Sequence, residues 1–320
     1  MAHDADASVR PGTDAAPPHS APRAAVLVIG EALIDIVDRG GDAVEFVGGS
    51  PANVAIGVAR QGIATALLTS IGRDDRGRRI ADQVEASGAA VADASWTDAA
   101  TFTARARIQP DGSAEYDFDI SWTLDPGAVA AAADAASVVH SGSIALFLQP
   151  GGEVALAGLE RAARAGAIVT VDPNIRPALV GADARSVAER AFAAADLVKL
   201  SDEDAAALYP DVSPGRVLRT IAALGPRVVV MTRGSAGALA LGPDGVTTAD
   251  PLRVEVADTI GAGDAFMASL ITSAVDEPQL LTGDGGALER ALRRAAVMAG
   301  VTVSRPGADP PTRAEVDRLR

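Results

Sequence analysis

Short apolar runs alternate with longer amphipathic segments along most of the chain. Runs of this length that are apolar at nearly every position are typical of strands buried on both faces of a sheet. They predict strands at residues 26–30, 65–70, 137–141, 167–171, 197–200 and 227–231. Helical spacing predicts helices at residues 50–61, 75–86, 152–165, 184–194, 262–274 and 287–303, and a last one from Arg313. Strands that alternate with helices form βαβ units, so the sequence predicts an α/β fold with a mostly parallel central sheet.

Other stretches have the two-residue period of half-buried strands. Residues 101–120 alternate on either side of Asp111-Gly112, a dipeptide typical of hairpin turns, and residues 43–47 could join them. A small antiparallel sheet inserted in an α/β domain predicts a lid over a binding site. Further short antiparallel strands are predicted at residues 238–241, 245–248 and 252–256.

The first residues have a different composition from the rest. Residues 1–23 are rich in Pro, Ala and Asp and have no apolar periodicity, which predicts a disordered tail. The folded domain is therefore expected to cover residues 24–320, with the lid inserted around residues 38–48 and 98–122.

Composition and charge narrow the classes of function. The 320 residues include 28 basic and 42 acidic side chains, a formal net charge of −14, and a field of this sign disfavours nucleic acid and anionic membrane surfaces. Cysteine is absent and there are three histidines, of which only His140 lies outside the predicted tail. This excludes a thiolate nucleophile and disfavours a metal site built on Cys or His. No apolar run reaches the ~20 residues that span a bilayer. We therefore expect a cytoplasmic protein with small-molecule partners and no nucleic-acid or membrane partner.

Lys199 is the only lysine in the chain, and every other basic residue is arginine. Where lysine is otherwise avoided, a single one can mark a role that arginine cannot fill, because an ammonium and a guanidinium differ in shape and donor geometry. A solvated side chain left by chance is the alternative interpretation.

The stretch from Asp258 to Asp264 carries the most chemical information. It reads Asp-Thr-Ile-Gly-Ala-Gly-Asp, follows a predicted strand and opens a predicted helix. Small residues there let backbone amides and the positive end of the helix dipole converge on an anion such as phosphate. A carboxylate would repel that anion, so Asp264 is better explained as a general base that takes a proton from an attacking hydroxyl. The alternative is an ordinary turn in which Asp264 caps the helix.

This string resembles the C-terminal signature of the ribokinase-like (PfkB-type) carbohydrate kinases. Residues 48–55, Gly-Gly-Ser-Pro-Ala-Asn-Val-Ala, match the second signature of that family, and the resemblance extends over residues 25–320. Residues 30–35 resemble the first strand of the family, whose Asp binds sugar hydroxyls, and residues 171–177 and 304–312 look most like the bacterial fructokinase branch. The resemblance implies a three-layer α/β/α domain with a small antiparallel β lid. It also implies ATP-dependent phosphorylation of a primary hydroxyl of a small sugar, with D-fructose converted to fructose 6-phosphate as the first candidate.

The resemblance also implies a role for each matching residue. Asp264 would be the base, and the amides of Gly261, Ala262 and Gly263 would surround the transferred phosphate. The residues expected to bind the sugar are Asp35, Gly48, Gly49, Asn53, Arg105 and Arg176. Those expected to bind ATP are Lys199, Ser201, Thr232, Gly234, Gly237, Gly261 and Gly263. Asp35 is expected to end the first strand, at the carboxyl edge of the sheet, where Asp and Asn side chains suit polyol recognition.

Two cations and an assembly are further implications of the resemblance. Mg²⁺ would bridge the ATP phosphates. The family's Asn-x-x-Glu motif reads Ser201-x-x-Asp204 here, and Asp is shorter than Glu, so Asp204 is expected to reach the metal through water. Asp258 is a candidate for a site that holds K⁺. A homodimer is a candidate assembly, because lids in this family often pair between subunits.

Several alternatives stay open at this point. A 2-keto-3-deoxygluconate kinase, whose substrate carries a carboxylate, could use Arg105, Arg107 or Arg176. Another sugar kinase of the family is a second alternative, and a catalytically silent sugar or nucleotide sensor on the same fold is a third. The sensor would have no need of Asp264.

Overall fold

The computed structural model describes residues 25–39, 42–108, 114–176, 178–283 and 286–319. The predicted tail and the predicted turn at Asp111-Gly112 lie outside the described residues. The strands are β1 (Val26–Ile29), β2 (Leu33–Arg39), β3 (Asp42–Gly48), β4 (Thr65–Leu68), β5 (Ile71–Gly72), β6 (Ala90–Val91), β7 (Trp96–Thr97), β8 (Thr103–Ile108), β9 (Ala114–Asp119), β10 (Val138–Gly142), β11 (Ile168–Asp172), β12 (Leu197–Ser201), β13 (Val228–Thr232), β14 (Ala238–Gly242) and β15 (Gly245–Ala249).

Helices follow most of these strands, as the sequence predicts. They are α1 (Ser50–Arg60), α2 (Asp75–Ala86), α3 (Pro126–Ala135), α4 (Gly151–Arg164), α5 (Ala184–Ala194), α6 (Asp202–Leu208), α7 (Pro214–Ala222), α8 (Ala262–Asp276), α9 (Ala287–Val303) and α10 (Arg313–Asp317). In the part of the chain that the structure describes, no helix combines the length and the apolar character needed to cross a bilayer.

The central sheet has the strand order β15-β14-β13-β12-β11-β10-β1-β4-β6. Every pair from β6 to β13 is parallel, while β14 and β15 are antiparallel at one edge. From β1 the chain first builds outward through β4 and β6, and then returns to β10 on the other side of β1. Ligands of open α/β sheets bind at the carboxyl ends of the strands beside such a reversal. The predicted α/β fold with a mostly parallel sheet is confirmed.

Two apolar cores lie on opposite faces of this sheet. Val28, Val138 and Val230 point to the face covered by α1, α2, α8 and α9. Ile29, Val139 and Val229 point to the face covered by α3, α4, α5 and α7. Because successive side chains of each strand enter different cores, nearly every strand position is apolar, which is the pattern that predicted these strands.

A second sheet, with the order β3-β2-β8-β9, forms the lid. Each of its two hairpins is antiparallel, but β2 and β8 at its centre pair in parallel. The lid begins at Leu33, before the predicted start at residue 38. Asp35 therefore lies inside lid strand β2, and the prediction that it ends the first strand of the central sheet is wrong. The chain leaves the central sheet at Ile29, because Gly30 starts a turn instead of continuing the strand.

The edge of the lid is attached to the body by ion pairs. Glu45 on β3 accepts hydrogen bonds from Arg76 and Arg79 on α2. The arginines, the Arg76 hydrogen bond foremost, hold the pKa of Glu45 below its usual value. These pairs fix the side of the lid that faces α2.

Local pattern predicts some segments wrongly. Residues 252–256 alternate like a strand, but no strand forms there, because the segment packs on a helix: a Cβ added at Gly300 of α9 would lie 2.5 Å from the Cβ of Leu252. Helices α3, α6 and α7 are missing from the sequence prediction. The first is mostly alanine and has little periodicity, and the other two are short.

Helices α1 and α8 approach each other closely through small residues. A Cβ added at Gly57 would lie 2.6 Å from the Cβ of Ala268, which is closer than two carbon atoms can pack. Ser50, Asn53 and Gly57 share one face of α1, since they are three and four residues apart. The close approach at Gly57 therefore determines how near the first turn of α1 comes to the first turn of α8.

We expect Gly57→Ala to lower the free energy of unfolding by about 1–3 kcal/mol, because overpacking at this contact outweighs the gain in helix propensity. Urea denaturation measures the change. Gly215→Ala in α7 is the matched control, since nothing lies within 3.7 Å of a Cβ there, and it should be neutral or stabilising. A Gly57→Ala variant as stable as this control would contradict the expectation, and Ala268→Gly added to Gly57→Ala should restore stability.

Candidate active site

The turn that leads into α8 has the geometry of an anion site. Gly261 precedes the helix with a φ of 75°, a left-handed conformation that favours glycine, and its Cα packs against Ala308. Within the described residues, no group accepts a hydrogen bond from the backbone amides of Gly263 and Asp264. We call residues 258–264 the anion turn, because its free amides and the helix dipole favour negative charge at one position.

Asp264, in the first turn of α8, is 8% exposed and is held by donors from α1. The Oγ of Ser50 donates to its Oδ1 at 2.7 Å, and the Nδ2 of Asn53 donates to its Oδ2 at 2.8 Å. Sequence reasoning expected Asn53 to be a sugar ligand, whereas the structure aims its amide at Asp264. Ser50 was missed, although it is three residues before Asn53 and therefore on the same helix face.

The glycine pair before α1 lies against Asp35 of the lid. A Cβ at Gly48 would collide with the carboxylate of Asp35, and Gly49 has a φ of 106°. Asp35 keeps contact with solvent, but partial desolvation in the cleft raises its pKa, and the nearby charge of Arg176 opposes that rise. The carboxylate of Asp35 therefore lies against Gly48 and within electrostatic reach of Arg176, and we call the region between these residues and Gly49 the cleft.

Arg105 does not lie at this cleft. It pairs in register with Ile36 of β2, so its side chain is on the lid face opposite Asp35. Its Nη1 lies 3.4 Å from Oδ2 of Asp38 on that same face. The spacing of Arg105 and Arg107 correctly predicts that they share a face, but a single strand's period cannot predict which face points to the cleft.

Lys199 and Asp172 form an ion pair inside the protein. Their side chains are 4% and 1% exposed, and Nζ lies 2.8 Å from Oδ2. Burial opposes the charge of Lys199, but the attraction of Asp172 and Asp204 outweighs it and raises the pKa of Lys199 above its usual value. Lys199 is therefore a buried cation beneath the site and does not project from its surface.

Ser201 and Asp204 form a capping box at the start of α6. Ser201 and Asp204 exchange side-chain and backbone hydrogen bonds of 2.7–2.9 Å. The remaining oxygen, Oδ1 of Asp204, accepts from the amide of Ile175 at 2.6 Å, next to Arg176. Both residues thus stabilise the turn that carries Arg176.

The strand β13 ends in a glycine turn. Thr232 donates to the carbonyl of Leu200 at 3.4 Å, and Gly237 returns the chain into β14 with no room for a side chain against Ala249. Gly234 is exposed, and nothing lies within 4 Å of a Cβ there. Thr232 and Gly234 border open space, while the glycine at position 237 is explained by the turn itself.

Asp258 links the anion turn to a later loop. Its carboxylate accepts from the amides of Ile260 and Gly307, both at 3.0 Å, and these bonds hold its pKa below the usual value. The amides of Ala257 and Asp258 donate to the carbonyl of Val303. The side chain of Asp258 therefore has a structural role in fixing the anion turn.

Comparison with known proteins identifies the family. The chain matches the profile of the pfkB family carbohydrate kinases over residues 23–315. It belongs to this family. It is 32% identical over 315 residues to fructokinase-1 of Oryza sativa subsp. japonica, which covers 92% of this chain and 96% of the relative. It is 34% identical over 262 residues to the fructokinase of Klebsiella pneumoniae, and this alignment covers 77% of this chain and 83% of the relative.

A solved structure agrees with the family assignment. The fructokinase of Xylella fastidiosa with bound ATP is similar with a TM-score of 0.80 at 26% identity, over 92% of this chain and 97% of that one. The predicted family and its ribokinase-like fold are confirmed, and the chain is a carbohydrate kinase.

Among the residues that the structure describes, no group of three or more His, Asp or Glu side chains could hold a metal ion. Asp204, the expected Mg²⁺ residue, has both oxygens bonded to protein groups and is 4% exposed. Both oxygens are thus engaged by protein groups, and the expected contact with Mg²⁺ through water stays a prediction.

Glu31, which sequence reasoning missed, is a buried carboxyl in the hinge between β1 and the lid. Its Oε2 accepts from the amide of Ala145 at 3.2 Å, and the carbonyl of Ala145 accepts from Trp122, where the chain returns from the lid. Burial raises the pKa of Glu31 to about 8, although hydrogen bonds from Ser143 and Ala145 oppose the rise. The carboxyl of Glu31 therefore keeps its proton to a higher pH in the folded protein than in the unfolded chain.

This shift predicts how stability depends on pH. Below about pH 4.5 Glu31 is protonated in both states, and between 4.5 and about 8 only the folded chain keeps the proton. The contribution of Glu31 to the free energy of unfolding therefore falls as pH rises through this range, by a few kcal/mol. Glu31→Gln has no proton to release. The difference between wild type and this variant should fall between about pH 5 and 8 in urea denaturation, and a constant difference would contradict the assignment. Glu85→Gln, at an exposed position of α2, is the control.

Proposed function

We propose that the protein is an ATP-dependent fructokinase that transfers the γ-phosphoryl group of Mg-ATP to the primary hydroxyl of D-fructose and gives fructose 6-phosphate. The observation that carries the proposal is Asp264, a buried carboxylate fixed by two donors beside the free amides of the anion turn. The fructokinase names of the relatives described above support the choice of sugar.

Asp264 is assigned the role of general base. Ser50 and Asn53 each take one lone pair, which fixes the plane of the carboxylate and leaves the other lone pairs for a substrate hydroxyl. As the hydroxyl oxygen attacks phosphorus, its proton passes to Asp264 and ADP leaves. The amides of Gly261, Gly263 and Asp264 would lie around the transferred group and stabilise the charge on its oxygens. The amide of Ala262, expected to do the same, donates to the carbonyl of Thr259 at 3.4 Å.

The sugar is assigned to the cleft between the lid and the sheet. Asp35 accepts from hydroxyls there, and the glycine pair at 48 and 49 lets the ring approach the backbone. Arg176 is exposed, and its Nη1 lies 2.7 Å from Oδ1 of Asn174. Its positive charge acts on Asp35, on the same side of the cleft. Arg176 would therefore read the sugar's substituents. Closure of the lid would exclude water and suppress hydrolysis of ATP.

The nucleotide is assigned to the groove between Thr232, Gly234 and the anion turn. The relative from Xylella fastidiosa was solved with ATP, which supports this substrate. Mg²⁺ arrives with the nucleotide and neutralises part of its charge. K⁺ could be held only by backbone carbonyls near residue 258, since the carboxylate of Asp258 is occupied. A homodimer through the lids is also part of the proposal, supported by Val44 and Phe46, which are 52% and 54% exposed on β3.

The experiment that tests the function is coupled ADP release with Mg-ATP and a panel of acceptors: fructose, ribose, tagatose, 2-keto-3-deoxygluconate and adenosine. We expect the highest kcat/KM with fructose. Preference for the keto-acid would retain Asp264 and assign Arg176 to a carboxylate. No turnover by a folded protein that binds ATP would overturn the fructokinase proposal and favour a sensor.

We expect Asp264→Asn to lower kcat about 10²–10⁴-fold, because the amide cannot accept the proton, while the Kd of ATP stays nearly the same. Steady-state kinetics and calorimetric titration measure the two effects. Asp82→Asn, exposed on α2, is the matched control and should have the kcat of wild type. Near-normal turnover in the Asp264 variant would remove the role of base from this residue.

We expect Ser50→Ala to lower kcat about tenfold, because Asp264 loses one of the two donors that orient it. The KM of the sugar should change less than kcat. Ser87→Ala is the control, since the hydroxyl of Ser87 also donates a hydrogen bond, to the carbonyl of Val84 at 2.6 Å, and accepts one from the amide of Ala89 at 3.4 Å, outside the anion turn. Equal kcat values in the two variants would exclude Ser50 from orienting the base.

A further inference from the structure

The only lysine of the chain lies directly beneath the anion turn. A Cβ added at Gly263 would be 3.0 Å from Nζ of Lys199, so the ammonium lies beside the first turn of α8. The side chain is 4% exposed and its partner Asp172 is 1% exposed. The ammonium therefore does not lie on the cleft surface. The family resemblance implied that Lys199 would bind ATP directly, and its burial disfavours that role.

The ammonium of Lys199 lies at an end of α8 where a positive charge is unfavourable for the helix. The amino end of a helix already has a partial positive charge, so a cation there is repelled. Both positive charges face the position where the amides of Gly263 and Asp264 are free. An arriving phosphate is attracted by the helix end and by the ammonium together. The backbone of the anion turn lies between the ammonium and the phosphate, so the two do not touch.

Stability does not explain the ion pair. Buried ion pairs can often be replaced by apolar side chains without loss of stability, since the removal of water from two charges offsets their attraction. Moreover, Oδ1 of Asp172 is buried and has no hydrogen-bond partner among the described residues. An arginine would not fit, because its longer, planar head group would meet the backbone at Gly263.

We propose that Lys199, held by Asp172, is a positioning residue that supports the anion turn from inside the protein and places positive charge behind the transferred phosphoryl group without contacting the nucleotide. The inference rests on the proposed phosphoryl transfer. Asp172 holds the ammonium in place through Oδ2, and Lys199 in turn supports the backbone at Gly263. The pair thus acts on the reaction through the anion turn.

The decisive variant removes both charges. Lys199→Met alone leaves Asp172 buried and unpaired, so we expect it to lower both Tm and kcat. In the double variant Lys199→Met/Asp172→Asn no charge of the pair remains, and Tm should recover. We expect kcat of the double variant to stay about 10- to 100-fold below wild type, with the KM of fructose within about twofold. If the double variant regains kcat together with Tm, the pair is only structural and the proposal is overturned.

A binding measurement tests the same proposal without turnover. Calorimetric titration gives the Kd of ADP and of a non-hydrolysable ATP analogue, each with Mg²⁺. The preference for the triphosphate reports the attraction of the anion turn for the γ-phosphate, and we expect it to fall about tenfold in the double variant. An unchanged preference would overturn the proposal, even if fructose proves not to be the acceptor. If wild type does not turn over fructose but the double variant still shows the expected fall in triphosphate preference, only the proposed function is overturned.

A matched control separates this role from the loss of any buried cation. Arg294 is also buried and lies 3.2 Å from Asp276, away from the anion turn. Arg294→Met should lower Tm and leave kcat and the triphosphate preference as in wild type. A kcat loss in this control equal to that of the double variant would assign the effect to general destabilisation and contradict the proposal.

Discussion

The close contact between α1 and α8 is the constraint on which the rest of the site depends. Gly57 and Ala268 bring the helices together, and only at that separation can Ser50 and Asn53 reach the carboxylate of Asp264. The first turn of α1 follows the glycine pair that borders the sugar cleft, and the first turn of α8 contains the free amides. One packing contact between small residues therefore sets the distance between the cleft beside Asp35 and the anion turn.

The electrostatic problem of this site is that carboxylates surround a place meant for an anion. The negative charges of Asp172, Asp204 and Asp264 all raise the pKa of Lys199. Asp172 is paired with the ammonium of Lys199, and Asp204 accepts hydrogen bonds from backbone amides and from the hydroxyl of Ser201. Burial raises the pKa of the nearby carboxyl of Glu31. Asp264 has one bond from α1 on each oxygen and keeps further lone pairs for an incoming hydroxyl, which is the requirement for a base.

The sequence predicts the central sheet well because strands buried on both faces leave a local record, a run of apolar residues. It predicts pairing less well, since the parallel contact of β2 with β8 joins distant segments and leaves no local pattern. The same limit applies to side chains. Motifs identified Asp264 and Asn53, but the bond between them depends on helix packing, and the face of the lid that carries Arg105 depends on register. The burial of Lys199 could not be read from its position in a motif.

The attachments of the anion turn also determine when during synthesis the site can form. Asp258 bonds the amide of Gly307, and Arg60 pairs with Asp309, 249 positions later in the chain. A ribosome releases the strands of the central sheet before residues 307–309, so a nascent chain can build its cores while the anion turn still lacks these supports. Long-range closures of this kind are slow steps because the intervening chain must first be ordered. The supports of the anion turn therefore come from a later part of the chain than the strands of the central sheet.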